Sequence, residues 1–323
     1  MIERHEVAGV APLDRQFGVW PVKTIPDAVA PILSGEGGLY TLLDGARMPG
    51  IEALLAAHPL RAACLFRGDA FSHAAPWLVE LAPESALTRA LFTADEGPAG
   101  PTALWAAQAA VLIRSGAGFD ALHTRARKCT RLRAPDGAWL FLRFWDPAPC
   151  AALMDHLMES GAGGPFPPGT DLLLPNVDGK TWHYRLGPDA PAEVTITLTE
   201  PLIRALASAA ERRQLAQIVG EALALWPTES PVPNRERRAM LMVEVLTLRS
   251  TGWPVMALAK PLAVAARFET RFAAMPDELR ALLDDAALSH RARGRLMEKH
   301  APRVFAEVSE VGGPVVEKDP WVM

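Results

Sequence analysis

The chain is poor in the residues that carry metal and redox chemistry. Of 323 residues only three are cysteine, Cys64, Cys129 and Cys150, and they lie far apart. There is no CxxC and no Cys/His pair at zinc spacing, which excludes a zinc ribbon, a thioredoxin-like motif and a disulfide framework. A sparse, odd count fits a reducing compartment. The histidines form neither HxH nor HExxH. A GxSxG nucleophile elbow and a GxxxxGK[ST] phosphate loop are also missing, which removes the hydrolase and nucleotide-binding readings those motifs carry. Long apolar runs are absent too. The longest stretch, Ala103 to Ile113, is interrupted by Gln108 and is too short to cross a bilayer as a helix. The start, MIERHEV, has no apolar signal-peptide core. A formal charge of −4 gives no overall pull toward nucleic acid or an anionic membrane. The expectation is a cytoplasmic protein with no membrane and no nucleic acid among its partners.

What is present fits a sizeable folded protein. Half the residues are hydrophobic and 22% are charged, so a large core can be buried and disorder is excluded. The length points to about two domains. Prolines number 29 but are spread out, so they punctuate elements rather than build a linker.

Short apolar runs between turn signals predict buried strands. They are 39–43, "AACLF" at 62–66 and "PWLVEL" at 76–81, while "AAVLIRS" at 109–115 reads as a further strand and "AWLFLRFWDP" at 138–147 as a strong strand rich in aromatics. A further strand is expected near Gly18 to Val22 in an otherwise irregular first 38 residues. "DLLL" and "TWHYRL" flank Asp178-Gly179 and predict a hairpin. Helical spacing marks 51–57, 85–92 and 119–132. Asp146-Pro147 is a helix start, with Asp as cap and Pro at the first position, opening a helix over 148–159. "EVTITL" predicts a last short strand. From Thr199-Glu200-Pro201 onward the pattern is helical, with segments over 234–248 and 276–300. The predicted architecture is an α/β (α+β) lobe with a mixed sheet over 1–190, a helical lobe over 191–311 and a frayed tail over 312–323.

Four predicted strands end in polar residues: Asp44 with Arg47, Arg67 with Asp69, Arg114 with Ser115, and Arg143 with Asp146. Convergent carboxylates and arginines are the ingredients of a metal or phosphate-ester site. On that reading Asp44, Asp69 and Asp146 serve a metal-dependent hydrolase or nuclease. Acids at strand–helix junctions more often cap the next helix. Arg143 stands out, because a charge inside an apolar strand needs a partner or an exposed face. The preferred reading makes Asp44, Arg47, Arg143 and Asp146 structural junctions, with no catalytic, cofactor or metal residue. Separately, Arg125, Arg127, Lys128, Arg131 and Arg133, with Arg114, stand against one acid, Asp120. The default for such a run is a solvated helix face, and the sharper reading is a surface for an acidic partner. Trp226 and Trp253 lie beside prolines at predicted helix ends and are further candidates for partner contact.

"LYTLLDGAR", "CLFRGD", "APWLVEL" and "VLIRSGAGFDALHTRARKCTRLRAPDGAWLFLRFWDP", followed by a helix, occur in an order and spacing that resemble the domain of unknown function 4123 family over about 39–155. The "RFWDP" block has Trp145 where the family commonly has Tyr. The resemblance implies an adaptor, or chaperone, of bacterial type VI secretion. Such proteins hold a secreted effector in the cytoplasm and help load it onto the VgrG spike, and they are not known as enzymes.

Overall fold

An uninterrupted apolar strand needs cover on both faces, and the computed structural model provides it. The structure describes residues 1–14, 22–48, 50–66, 72–94, 101–177 and 179–310. The chain divides into two compact units, Met1–Ala209 and Ala210–Met323.

Among the described residues the first unit has nine strands: β1 (Ile2–Val7), β2 (Gly38–Asp44), β3 (Ala62–Cys64), β4 (Pro76–Leu81), β5 (Ala110–Ser115), β6 (Arg131–Arg133), β7 (Trp139–Phe141), β8 (Thr170–Val177) and β9 (Lys180–Leu186). Seven form one sheet in the order β1-β9-β8-β5-β2-β4-β3, while β6 and β7 form a separate hairpin. The helices are α1 (Ala30–Leu33), α2 (Ile51–Ala56), α3 (Ala86–Phe92), α4 (Phe119–Cys129), α5 (Pro147–Ser160) and the first turns of α6 (Glu200–Leu223).

Alternation along β2 explains the layers. Tyr40 and Leu42 join a core with Leu122 and Ala126 of α4 and Leu153 and Leu157 of α5. Leu39 and Leu43 point the other way, to Leu33 of α1, Ile51 of α2 and Leu87 of α3. Burying one such leucine contributes about 2 kcal/mol, so a sheet covered on both faces has reason to read as solid apolar runs. Helix α5 starts and stops where its sequence directs. Asp146 accepts a hydrogen bond from Ala148 N, Pro147 opens the first turn, and Gly161 closes the end at φ +67.

The expected α/β lobe followed by helices is present, and four details differ. Every pairing between named strands is antiparallel, not mixed. Apolar runs report cover on two faces and carry no direction. Strand β1 was read as irregular because at the sheet edge only Ile2 is buried, and Glu3, His5 and Glu6 face water. "EVTITL" is not a strand; Thr195 instead bonds Gly163 in both directions, and Ile196 and Leu198 fill the core. "AWLFLRFWDP" is strand only over Trp139–Phe141, and the chain then turns tightly through Arg143 into α5. The strand expected near 18–22 lies, save for Val22, outside the described residues.

The second unit is helical: the remainder of α6, then α7 (Asn234–Ser250), α8 (Ala259–Arg267), α9 (Asp277–Asp284) and α10 (His290–Glu310). Val219, Val245, Leu262, Leu279, Met297 and Ala301 meet in its core. Glu244, buried there, accepts from Arg271 Nε at 3.1 Å and Phe272 N at 3.0 Å.

Burial sets the thiol chemistry of the first unit. Cys129, fully buried, has its thiol pushed up to about 11 by burial, against the opposing pull of Arg125 and Lys128. Burial pushes Cys150 up as well. A raised folded pKa favours the neutral thiol. That stabilisation is complete below the unfolded value of 9.0 and is lost as pH rises through about 11. Melting temperature should therefore fall between pH 9 and 11. At neutral pH a thiol reagent should label half-buried Cys64 first, with Cys129 and Cys150 labelled only on unfolding. Mass spectrometry of the labelled chain reads the order directly, and early labelling of Cys129 would contradict it.

Candidate functional site

The strand-end residues and the basic run gather at the end of β2 and on the surface beside α4.

At the end of β2, Asp44 is completely buried. One carboxylate oxygen accepts from Ala46 N at 3.2 Å, closing the turn into Gly45–Arg47. The other accepts from the Arg143 guanidinium at 2.6 Å. Gly45 is required beside it, because a side-chain carbon there would sit 2.4 Å from the Ala75 carbonyl oxygen. Arg47 donates through Nε to Ala107 O at 3.1 Å. Burial holds its guanidinium below the usual arginine value, with Asp44 opposing and Arg143 reinforcing that fall. Asp146 lies 3.9 Å from Arg143 and caps α5. The structure thus brings Asp44, Arg143 and Asp146 together, with Arg47 close enough to feel Asp44. Asp69 lies outside the described residues. Among the described residues no group of three or more metal-ligating side chains is present. Both Asp44 oxygens are engaged by the protein itself.

The second place is an open groove of about 880 Å³ lined by Leu65, Phe66, Ala74, Thr124, Arg127, Lys128, Thr130, Arg131, Trp139 and Phe141. Its position follows from a short hairpin. Ala134 O accepts from Gly137 N across Pro135-Asp136, and Gly137 takes φ +89, which a glycine adopts without strain. That turn sets Arg131 opposite Phe141 and Arg133 opposite Trp139. Opposed residues share a face, so two arginines and two aromatics alternate on one side of the hairpin. Leu132 packs toward the core. Trp139 is 64% exposed and Phe141 60% exposed. Phe66 approaches from the end of β3, 5.6 Å from Phe141 between ring centres.

Of the residues expected at a partner surface, Arg127, Lys128 and Arg131 line this groove. Among the described residues they form no ion pair. Arg125 does not contribute. It reaches the carbonyls of Gly164, Pro191 and Ala192 and ties two loops to α4, and burial lowers its pKa. Trp226 and Trp253 are buried at 5% and 2% in the helical unit, so they build its core and offer no surface. Prolines beside a tryptophan mark a chain turn equally well in a core. Sequence reasoning missed Trp139 and Phe141 as a surface, having placed them in one long aromatic-rich strand over 138–147. The available signal was RxR and WxF flanking Pro-Asp-Gly at hairpin spacing.

The first unit is thus an antiparallel sheet with helices on both faces, and it carries an exposed aromatic hairpin. The family model described as Domain of unknown function (DUF4123) matches residues 39–162, from the start of β2 to the end of α5. Both the Asp44 cluster and the groove fall within that segment. Among curated proteins and among solved structures no match is found.

The Asp44–Arg143 pair makes a stability prediction. Arg143→Ala leaves the buried Asp44 carboxylate with the Ala46 N hydrogen bond and only Arg47 as a nearby cation, and should cost about 3 kcal/mol. Asp146→Ala removes one helix cap and should cost about 1 kcal/mol. Urea unfolding of both variants tests the order, and an Arg143→Ala cost below that of Asp146→Ala would show that the pair matters little.

Proposed function

We propose that this chain is a non-enzymatic cytoplasmic adaptor that binds a type VI secretion effector and helps load it onto the VgrG spike. The observation that supports it best is the groove beside α4, where large apolar side chains and cations stand open to a partner. Exposed aromatics of that size cost solubility, and a protein retains them where another surface covers them. The DUF4123 match over the same segment fits this reading. The arrangement at the end of β2 also supports it, since Asp44 is fully buried and each of its oxygens already accepts a hydrogen bond, from Ala46 N and from Arg143, as a junction residue requires.

Co-expression with the product of the adjacent gene, followed by pull-down, tests the proposal. An effector or spike protein should co-purify in a defined ratio. Failure of every neighbouring effector and spike protein to associate removes the adaptor reading. Elemental analysis of the purified chain should find no stoichiometric divalent ion, and about one per chain would revive the hydrolase or nuclease built on Asp44, Asp69 and Asp146.

A further inference from the structure

We infer that the groove between α4 and the β6–β7 hairpin is a docking site for an extended acidic segment of a partner protein, one in which carboxylates alternate with large apolar side chains. The inference rests on the adaptor reading for its biological setting, and on the groove alone for its chemistry.

Charge complementarity selects the occupant. Arg127, Lys128 and Arg131 line the groove and form no ion pair among the described residues. The carboxylates nearest in the chain are engaged elsewhere: Asp120 with Arg61 at 2.6 Å, and Asp136 with Ala138 N at 2.9 Å. The floor and wall are apolar, from Leu65, Phe66, Trp139 and Phe141. A ligand must therefore present both signs of that surface at short intervals. An extended peptide does so, because successive side chains point to opposite sides and every second one shares a face.

Backbone geometry points the same way. Leu142 N donates to Thr130 O and Ala134 N to Ala138 O. By the alternation of an antiparallel ladder, Leu140 bonds inward to β6, and the Trp139 and Phe141 peptide groups face outward. The hairpin has no third strand among the described residues. Its outer edge can pair with an incoming strand while Trp139 and Phe141 receive the apolar side chains.

Single-stranded nucleic acid is the competing ligand for arginine beside exposed aromatic rings. The groove favours peptide. The groove is mainly apolar, the chain is net acidic, and the cations form a cluster rather than a track along a backbone.

The test uses the full chain and a fluorescein-labelled pool of short peptides whose aspartates alternate with leucine, phenylalanine and tryptophan. A pool with lysine for aspartate, an oligothymidylate and sedimentation of the chain alone complete the set. Two variants are compared, Trp139→Ser/Phe141→Ser and Arg127→Glu/Lys128→Glu/Arg131→Glu. Their positions are exposed or half-buried, and a thermal melt confirms that each folds. The acidic pool should bind, and the aromatic variant should lose about tenfold or more in affinity. The charge-reversed variant should mainly slow association, with the loss shrinking at high salt, since these charges are screened over about 8 Å at physiological ionic strength. No binding of the acidic pool, equal binding of the lysine pool, or equal binding by both variants overturns the site. Tighter oligothymidylate binding that both variants abolish overturns it in favour of nucleic acid. Self-association lost in the aromatic variant overturns it in favour of a second copy. The adaptor reading fails separately: an effector that co-purifies equally well with both variants leaves that reading standing and sinks the groove, whereas peptide binding at the groove with no co-purifying effector does the reverse.

Discussion

The first unit depends on a central strand that has no wet face. Every described residue of β2 after Gly38 is buried, with one set of alternate side chains against α4 and α5 and the other against α1, α2 and α3. A strand covered in this way must end inside the protein, so its last residue needs a partner in place of water. Asp44 is that residue. Its carboxylate meets a backbone N–H and a guanidinium, which together replace the hydration it has lost. The arginine comes from the tight turn just before α5, so one ion pair fastens the end of the sheet to the start of the helix that covers it. Because Arg143 is half exposed, the pair carries less desolvation than a fully buried one.

Much of this was legible locally. Asp146-Pro147 opens α5 in the sequence as it does in the structure, because capping is a property of a few adjacent residues. The apolar runs at 39–43, 76–81 and 109–115 are strands β2, β4 and β5. Strand direction was not legible, because a run of buried residues looks alike whichever way its neighbours travel. Strand β1 was hidden for the opposite reason: its contribution is backbone pairing with β9, and five of its six side chains are exposed or half-buried.

The candidate site was half legible. The cations on and after α4 were visible as a local excess of charge, and the strand-end residues as acids and arginines at junctions. That Asp44 and Arg143 pair across 99 positions of chain is a tertiary fact no local pattern encodes. The aromatics were misread because Trp139, Leu140 and Phe141 run directly into Leu142, Phe144 and Trp145, and only the second group is buried. One apolar stretch serves two surfaces, and the division falls where the strand ends.

That division follows from the hairpin's register. A two-stranded hairpin is barely stable alone, so β6 and β7 must be held from one side. Leu132 supplies that side, packing toward the core, and the ladder continues through Thr130 into the end of α4. With Leu132 inward, the period of two forces Arg131 and Arg133 outward, and their cross-strand partners Phe141 and Trp139 with them. Turning the whole hairpin over would cover the aromatics but place two arginines against the core, at a cost larger than the exposure it relieves. The positive φ at Gly137 belongs to a turn of fixed length, which holds β7 in this register against β6. Exposure of Trp139 and Phe141 is thus the cheaper of two conflicting placements for the hairpin itself. A ligand that covers the rings and neutralises Arg131 at once resolves the conflict, which is the physical reason the groove favours an occupant both apolar and acidic.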